Sequence, residues 1–146
     1  GYAISRFLDG LKDGKILGVK CNKCKRVVTP PRIFCEKCFK EMDEWVELKD
    51  TGTVNTFSIC YITWDMKRTK EMGVLPEIPA VIEIDGTNPR VGFLHKIGEI
   101  PPKEEGSLEV NPKSVWVGMR VKAVWKPKEE REGRITDILY FKPINE

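Results

Sequence analysis

Histidine is nearly absent from this chain: among 146 residues only His95 is one. There is no Gly-x-Ser-x-Gly elbow and no glycine loop able to cradle a phosphate. Acid–base and nucleophilic catalysis therefore have little to be built from. Long apolar runs are also missing, and nothing approaches the roughly 18–20 residues that span a bilayer. The opening GYAISRFLDGLKDGK lacks the continuous apolar stretch of a secretory signal. A soluble, cytoplasmic protein is the expectation. Neither sign of charge dominates: 25 Lys/Arg against 22 Asp/Glu leave a net charge of +3 and a pI of 8.6. Strong non-specific nucleic-acid binders usually exceed a domain pI of about 9. The Lys/Glu-rich composition is of the kind thermophilic proteins carry.

Cysteine is concentrated. Four of the five lie in CNKCKRVVTPPRIFCEKC, residues 21–38, as two CxxC pairs with ten residues between Cys24 and Cys35. An odd cysteine count without a secretory signal argues for metal ligation over a disulfide framework. Each pair offers two thiolates from one tight turn, and four thiolates close a tetrahedral Zn²⁺ site. Cys21, Cys24, Cys35 and Cys38 are the expected ligands. With no open coordination position the metal is structural. Iron is the alternative, because a rubredoxin site also uses four thiolates. Rubredoxin knuckles usually carry glycine after the second cysteine, where this chain has Lys25 and Phe39, which favours zinc. Cys60 stands alone and reads as a small buried hydrophobe in mid-strand.

The pattern along the chain is mainly β. Residues 2–13 read as a helix with Ile4, Phe7, Leu8 and Leu11 on one stripe, ended by Asp13-Gly14. So short a helix needs a surface to pack on, in this chain or on a partner. Around the cysteines, residues 16–19, 27–28 and 45–48 read as short strands. Five more are expected beyond them: Thr53–Thr63, Pro79–Asp85, Arg90–Ile97, Met119–Trp125 and Ile138–Lys142. Alternation puts Ala80, Ile82 and Ile84 on one face, likewise Val91, Phe93, His95 and Ile97, and likewise Met119, Val121, Ala123 and Trp125. Five strands in about ninety residues, with a long excursion between the third and fourth, fit an OB-fold barrel; a small sandwich also fits the count. The expected division is 1–48 for helix and zinc ribbon and 49–146 for the OB-fold domain. The 126–137 connection reads as charged and without core residues.

Trp64, Lys67, Arg68 and Lys70 crowd the first long loop. An aromatic ring beside basic groups can hold a nucleotide by stacking and charge pairing, or can be an ordinary solvated loop. His95 reads as a hydrogen-bonded histidine of the barrel wall or of an interface, with a general base or ligand as the functional alternative.

A helix, a four-cysteine ribbon containing Pro31-Arg32, and an OB-like barrel, in that order, resemble a family catalogued as a domain of unknown function. It pairs a rubredoxin-like zinc ribbon with an OB-fold and is associated with acyl-CoA metabolism. The resemblance implies a non-catalytic accessory subunit of a thiolase-superfamily acyltransferase complex. It points to the archaeal subunit type that bridges acetoacetyl-CoA thiolase and hydroxymethylglutaryl-CoA synthase in the mevalonate pathway, as a hetero-oligomer sharing CoA or acyl-CoA. On that reading the ribbon is a clasp that orients the N-terminal helix towards partners. Contact between CoA phosphates and Lys67, Arg68 and Lys70, with Trp64 beside them, is inferred from the residues alone. The competing reading is a single-stranded nucleic-acid-binding module, with Phe57, Tyr61 and Trp64 stacking on bases.

Overall fold

The structure is a computed structural model describing residues 1–146. Helix α1 (Tyr2–Lys12) opens the chain and stops where Gly14 turns to a φ of 73°. Strands β1 (Ile16–Lys20), β2 (Val27–Val28) and β3 (Glu44–Leu48) form a three-stranded antiparallel sheet in the order β2-β1-β3. Strand β4 (Thr51–Phe57), short helix α2 (Thr69–Met72) and strands β5 (Pro79–Ile84), β6 (Gly92–Lys96), β7 (Arg120–Trp125) and β8 (Ile138–Pro143) follow. These five strands form one antiparallel sheet in the order β6-β5-β4-β7-β8. Its outer strands curl towards each other and meet at a single parallel bridge, Ile97 with Phe141, where the Gly98 N–H donates to the Phe141 carbonyl at 2.9 Å. One curled sheet with touching edges is the partly open OB-type barrel, not a two-sheet sandwich. No helix is long and apolar enough to cross a membrane.

The barrel interior follows the period-2 alternation in β5 and β7, while β8, whose pairing with β7 shifts register, buries residues three apart. Ala80, Ile82 and Ile84 point inward from β5, Val121 and Ala123 from β7, and Ile138 and Phe141 from β8. Phe7 and Leu11 of α1 belong to the same buried cluster, and Phe7 meets Phe93 edge to face at 6.1 Å between ring centroids. The helix is thus seated on the barrel, so of the two surfaces its stripe could pack on it uses the one in its own chain and does not turn that stripe towards partners. Its buried face is Ala3, Phe7, Gly10 and Leu11, while Ile4 faces outward. Gly10 is there because β1 comes close: a Cβ would sit 2.8 Å from the Leu17 side chain.

Other expectations also shift. Strand β4 ends at Phe57, so Cys60 is not in mid-strand; it makes one isolated bridge to Glu77 and is only partly buried. The β6–β7 connection supplies Ile100, Val110 and Val115 to the core. The 126–137 connection adds no residue to the apolar core, as expected, although it ends on the fully buried Asp137.

The ribbon has its own small core of Val19, Cys21, Val28, Cys35 and Met42. Three contacts fix it to the rest. Val27 and Asn88 exchange two backbone hydrogen bonds of 2.9 and 3.0 Å with each other, tying β2 to the β5–β6 turn. The Arg6 guanidinium of α1 lies 4.4 Å over the Trp45 ring of β3, and Tyr2 meets the same ring edge-on. Continuity of β3 with β4 completes the junction.

Candidate metal centre and neighbouring surfaces

Two matching knuckles build the cysteine cluster. In the first, the Cys21 N–H donates to Arg26 and the Lys25 N–H returns to the Cys21 carbonyl, both at 2.8 Å. In the second, Cys35 donates to Lys40 at 2.9 Å and Phe39 to Cys35 at 2.8 Å. Both turns need a left-handed residue after the second cysteine, and Lys25 (φ 66°) and Phe39 (φ 58°) adopt it without being glycine. The four Sγ atoms lie within 4.8 Å of one another, and Cys24 and Cys35 approach to 3.7 Å. No pair is a disulfide. Zn–S bonds of about 2.3 Å set tetrahedral sulfur–sulfur edges of about 3.8 Å, so the cluster fits the ion.

The electrostatics also call for a cation. The Cys24 N–H aimed at Cys21, aided by that of Lys23 and opposed by burial, lowers the Cys21 thiol to about 6. Cys35 is lowered by the equivalent N–H of Cys38, again against burial. Cys38 is pushed up to about 12 by its Cys24 neighbour, with burial adding to the effect. Four thiolates cannot ionise together here without a positive centre between them. Bound zinc would supply that charge, and all four positions would be filled by sulfur.

The expected loop residues form no comparable cluster. Trp64 is 95% exposed and lines a groove of about 520 Å³ with Cys60, Ile62, Met72, Glu77 and Pro79. Lys67, Arg68 and Lys70 each already have a carboxylate: Asp65 at 3.7 Å, Glu71 at 3.9 Å and Glu109 at 2.8 Å. Lys70 also lies over the Tyr61 ring. His95 is held at both nitrogens: Nδ1 accepts from the Lys96 N–H at 2.9 Å, and Nε2 lies 3.2 Å from the Ile135 carbonyl. Burial, more than any neighbouring charge, pulls its pKa below the usual histidine value. That makes it a structural histidine of the wall, as the strand phase predicts.

Two polar centres escaped sequence reasoning. Arg120 grips Asp85 with both guanidinium arms, at 2.8 and 2.6 Å, and donates to Thr53 at 2.9 Å. Asp137 accepts from three successive backbone N–H groups, those of Glu132, Gly133 and Arg134, at 2.8–3.2 Å. Gly133, at φ 81°, permits that turn and was the available signal. Arg120 carried none, because its partner lies 35 residues away in sequence.

Helix, four-thiolate ribbon and OB barrel define a class of zinc-ribbon/OB-fold proteins. Within it, the chain belongs to the family described by the ChsH2 C-terminal OB-fold domain, whose model matches residues 45–126. The model of the ChsH2 rubredoxin-like zinc ribbon domain matches residues 8–43. A DUF35 domain-containing scaffold protein of Methanocaldococcus jannaschii is 29% identical over 133 residues, 88% of this chain and 82% of that one. A solved DUF35-family protein of unknown function from Sulfolobus solfataricus superposes with a TM-score of 0.66 at 26% identity, covering 98% of this chain and 84% of that one. The Ltp2–ChsH2(DUF35) aldolase shares the fold at a TM-score of 0.62 and 19% identity, over 95% of this chain and 92% of that one.

Proposed function

We propose that this chain is a non-catalytic scaffold subunit of an acyl-CoA enzyme complex, bridging acetoacetyl-CoA thiolase and hydroxymethylglutaryl-CoA synthase. The observation that supports the scaffold role is the relative named a scaffold protein, which aligns with 88% of the chain and so spans ribbon and barrel alike; the choice of thiolase and synthase rests on the family resemblance. The surface agrees with it. Large apolar side chains stand in solvent on three different segments: Phe34 and Phe39 on the ribbon, Trp64 and Met66 after β4, and Trp116 and Val117 before β7. A bridge between two enzymes needs more than one such patch. Acetoacetyl-CoA formation is unfavourable, so a bridge that lets the intermediate pass directly onward raises flux without supplying a catalytic group.

Within this reading, the loop from Trp64 to Lys70 is the CoA-facing element. The indole is free to stack on adenine. Phosphates reaching Lys67, Arg68 and Lys70 would compete with Asp65, Glu71 and Glu109.

The test is a coupled assay of thiolase and synthase, with and without this chain. The expected result is a severalfold rise in coupled flux and a smaller free acetoacetyl-CoA pool, while the chain alone turns over no acyl-CoA. Flux indifferent to the chain would refute the bridge.

A further inference from the structure

The charge of this molecule is unevenly placed. Residues 20–41, which close with the Phe34–Glu41 bridge, hold seven Lys/Arg and two Glu, which leaves eighteen basic and twenty acidic residues for the remaining 124. The ribbon tip is therefore +5 and everything else −2. The zinc tetrathiolate removes about two of those positive charges. Arg26 and Arg32 share Glu36 at 3.0 Å each, and Lys20 faces Glu44 at 3.9 Å. Lys23, Lys25, Lys37 and Lys40 are exposed and have no carboxylate within ion-pair distance.

On the same segment Ile33 (50% exposed), Phe34 (60%) and Phe39 (82%) stand in solvent, with Glu41 bridged to Phe34. Phe39 is costly twice over. Its phenyl ring sits in water, and its backbone takes the left-handed φ of 58° that disfavours any bulky side chain. Glycine would relieve both costs and keep the turn. Fold stability therefore does not account for a phenylalanine at this knuckle.

We infer that the tip of the ribbon, with Phe34 and Phe39 at its centre and Lys23, Lys25, Lys37 and Lys40 around them, docks onto an acidic protein surface bearing an apolar pocket. An aromatic centre inside a charged rim is the anatomy of a protein interface, and the rim steers the encounter. The observations favour a protein over a nucleic acid. A long polyanion needs a continuous basic track, and beyond the tip this chain is net negative. The inference rests on the scaffold reading for its physiological setting, but the chemistry of the tip can be measured without it.

The experiment uses the zinc-loaded full chain and two probes, a peptide of alternating Glu and Leu and an oligo-dT strand, followed by amide NMR. The peptide should shift resonances of residues 23–25 and 37–40, and its affinity should fall by about tenfold between roughly 20 and 200 mM NaCl. Phe39→Gly should weaken it by about tenfold while the melting temperature holds or rises. Reversing the four lysines to Glu should abolish binding, whereas reversing Lys103, Lys113 and Lys128 should not. Peptide shifts that fall outside the ribbon, tighter binding of oligo-dT than of peptide, or wild-type binding by Phe39→Gly would each overturn the inference. The two variants then separate the readings in the assembled complex. Assembly unaffected by either overturns the tip and leaves the scaffold standing. Probe binding at the tip without assembly on either enzyme sinks the scaffold and leaves the tip's chemistry in place.

Discussion

At the scale of single residues, Asp137 is the clearest case of a charge held chiefly by backbone, with Lys126 adding a weaker attraction. Burial pushes its carboxyl up, but the N–H groups of Glu132, Gly133 and Arg134 together outweigh burial and hold it below the usual carboxylate range. Asp85 is lowered as well, chiefly by Arg120, against burial and with help from Thr51. The sign follows from linkage. A carboxylate with a depressed folded pKa stabilises fully above its unfolded value of about 3.9, and that stability is lost as pH falls through the folded value. Urea unfolding should therefore show stability flat from neutral pH to about 5 and falling below about 4. Asp137→Ala should cost about 2 kcal/mol at pH 7 and make the acid limb shallower, because three N–H groups lose their partner. An unchanged acid limb in the variant would show that Asp137 is not the group responsible. Asp85 was not legible in the sequence, since its partner Arg120 lies 35 residues away, whereas Asp137 is held within its own turn and Gly133 was its one local signal. The cysteines were legible, because a CxxC turn is local and brings its own geometry.

At the scale of elements, the helix is the piece whose buried face departs most from its apolar stripe. Its period was readable, yet its orientation was not: the buried face includes Ala3 and Gly10, which carry little hydrophobic signal, while Ile4 looks outward. Strands β5, β6 and β7 were legible because one face of each is buried, so apolar residues recur at every second position. The run after Phe57 misled for the opposite reason. Ser58–Thr63 has strand-like composition, but Cys60 and Ile62 make only single bridges, to Glu77 and Arg68. Propensity reports fitness for a pleated surface and cannot report whether a neighbour strand is present. Because Leu11 is fully buried in the barrel cluster, Leu11→Ala should cost about 3 kcal/mol and lower the unfolding midpoint of the whole barrel. Hydrogen exchange would check the coupling: α1 amides should open together with those of β5 and β7. Fraying of α1 alone, with barrel protection intact, would mean the helix is an appendage.

At the scale of the whole molecule, two cores share one chain. The barrel core is large and buries the helix. The ribbon core has five residues, two of them cysteine ligands, which is too little apolar area to hold without a metal. Zinc binding is therefore folding free energy for the ribbon, and the ribbon carries the most basic, aromatic-tipped surface of the molecule. Metal loss should loosen that surface and weaken assembly while the barrel stays folded. The central claim is that this zinc-clasped chain is a subunit that joins enzymes. Native mass spectrometry of the chain purified gently from its own cells, before and after zinc chelation, tests it most directly. The expected result is one zinc per chain in a hetero-oligomer with thiolase and hydroxymethylglutaryl-CoA synthase subunits, dissociating as the metal leaves. A lone monomer, or a complex that survives verified loss of zinc unchanged, would contradict it.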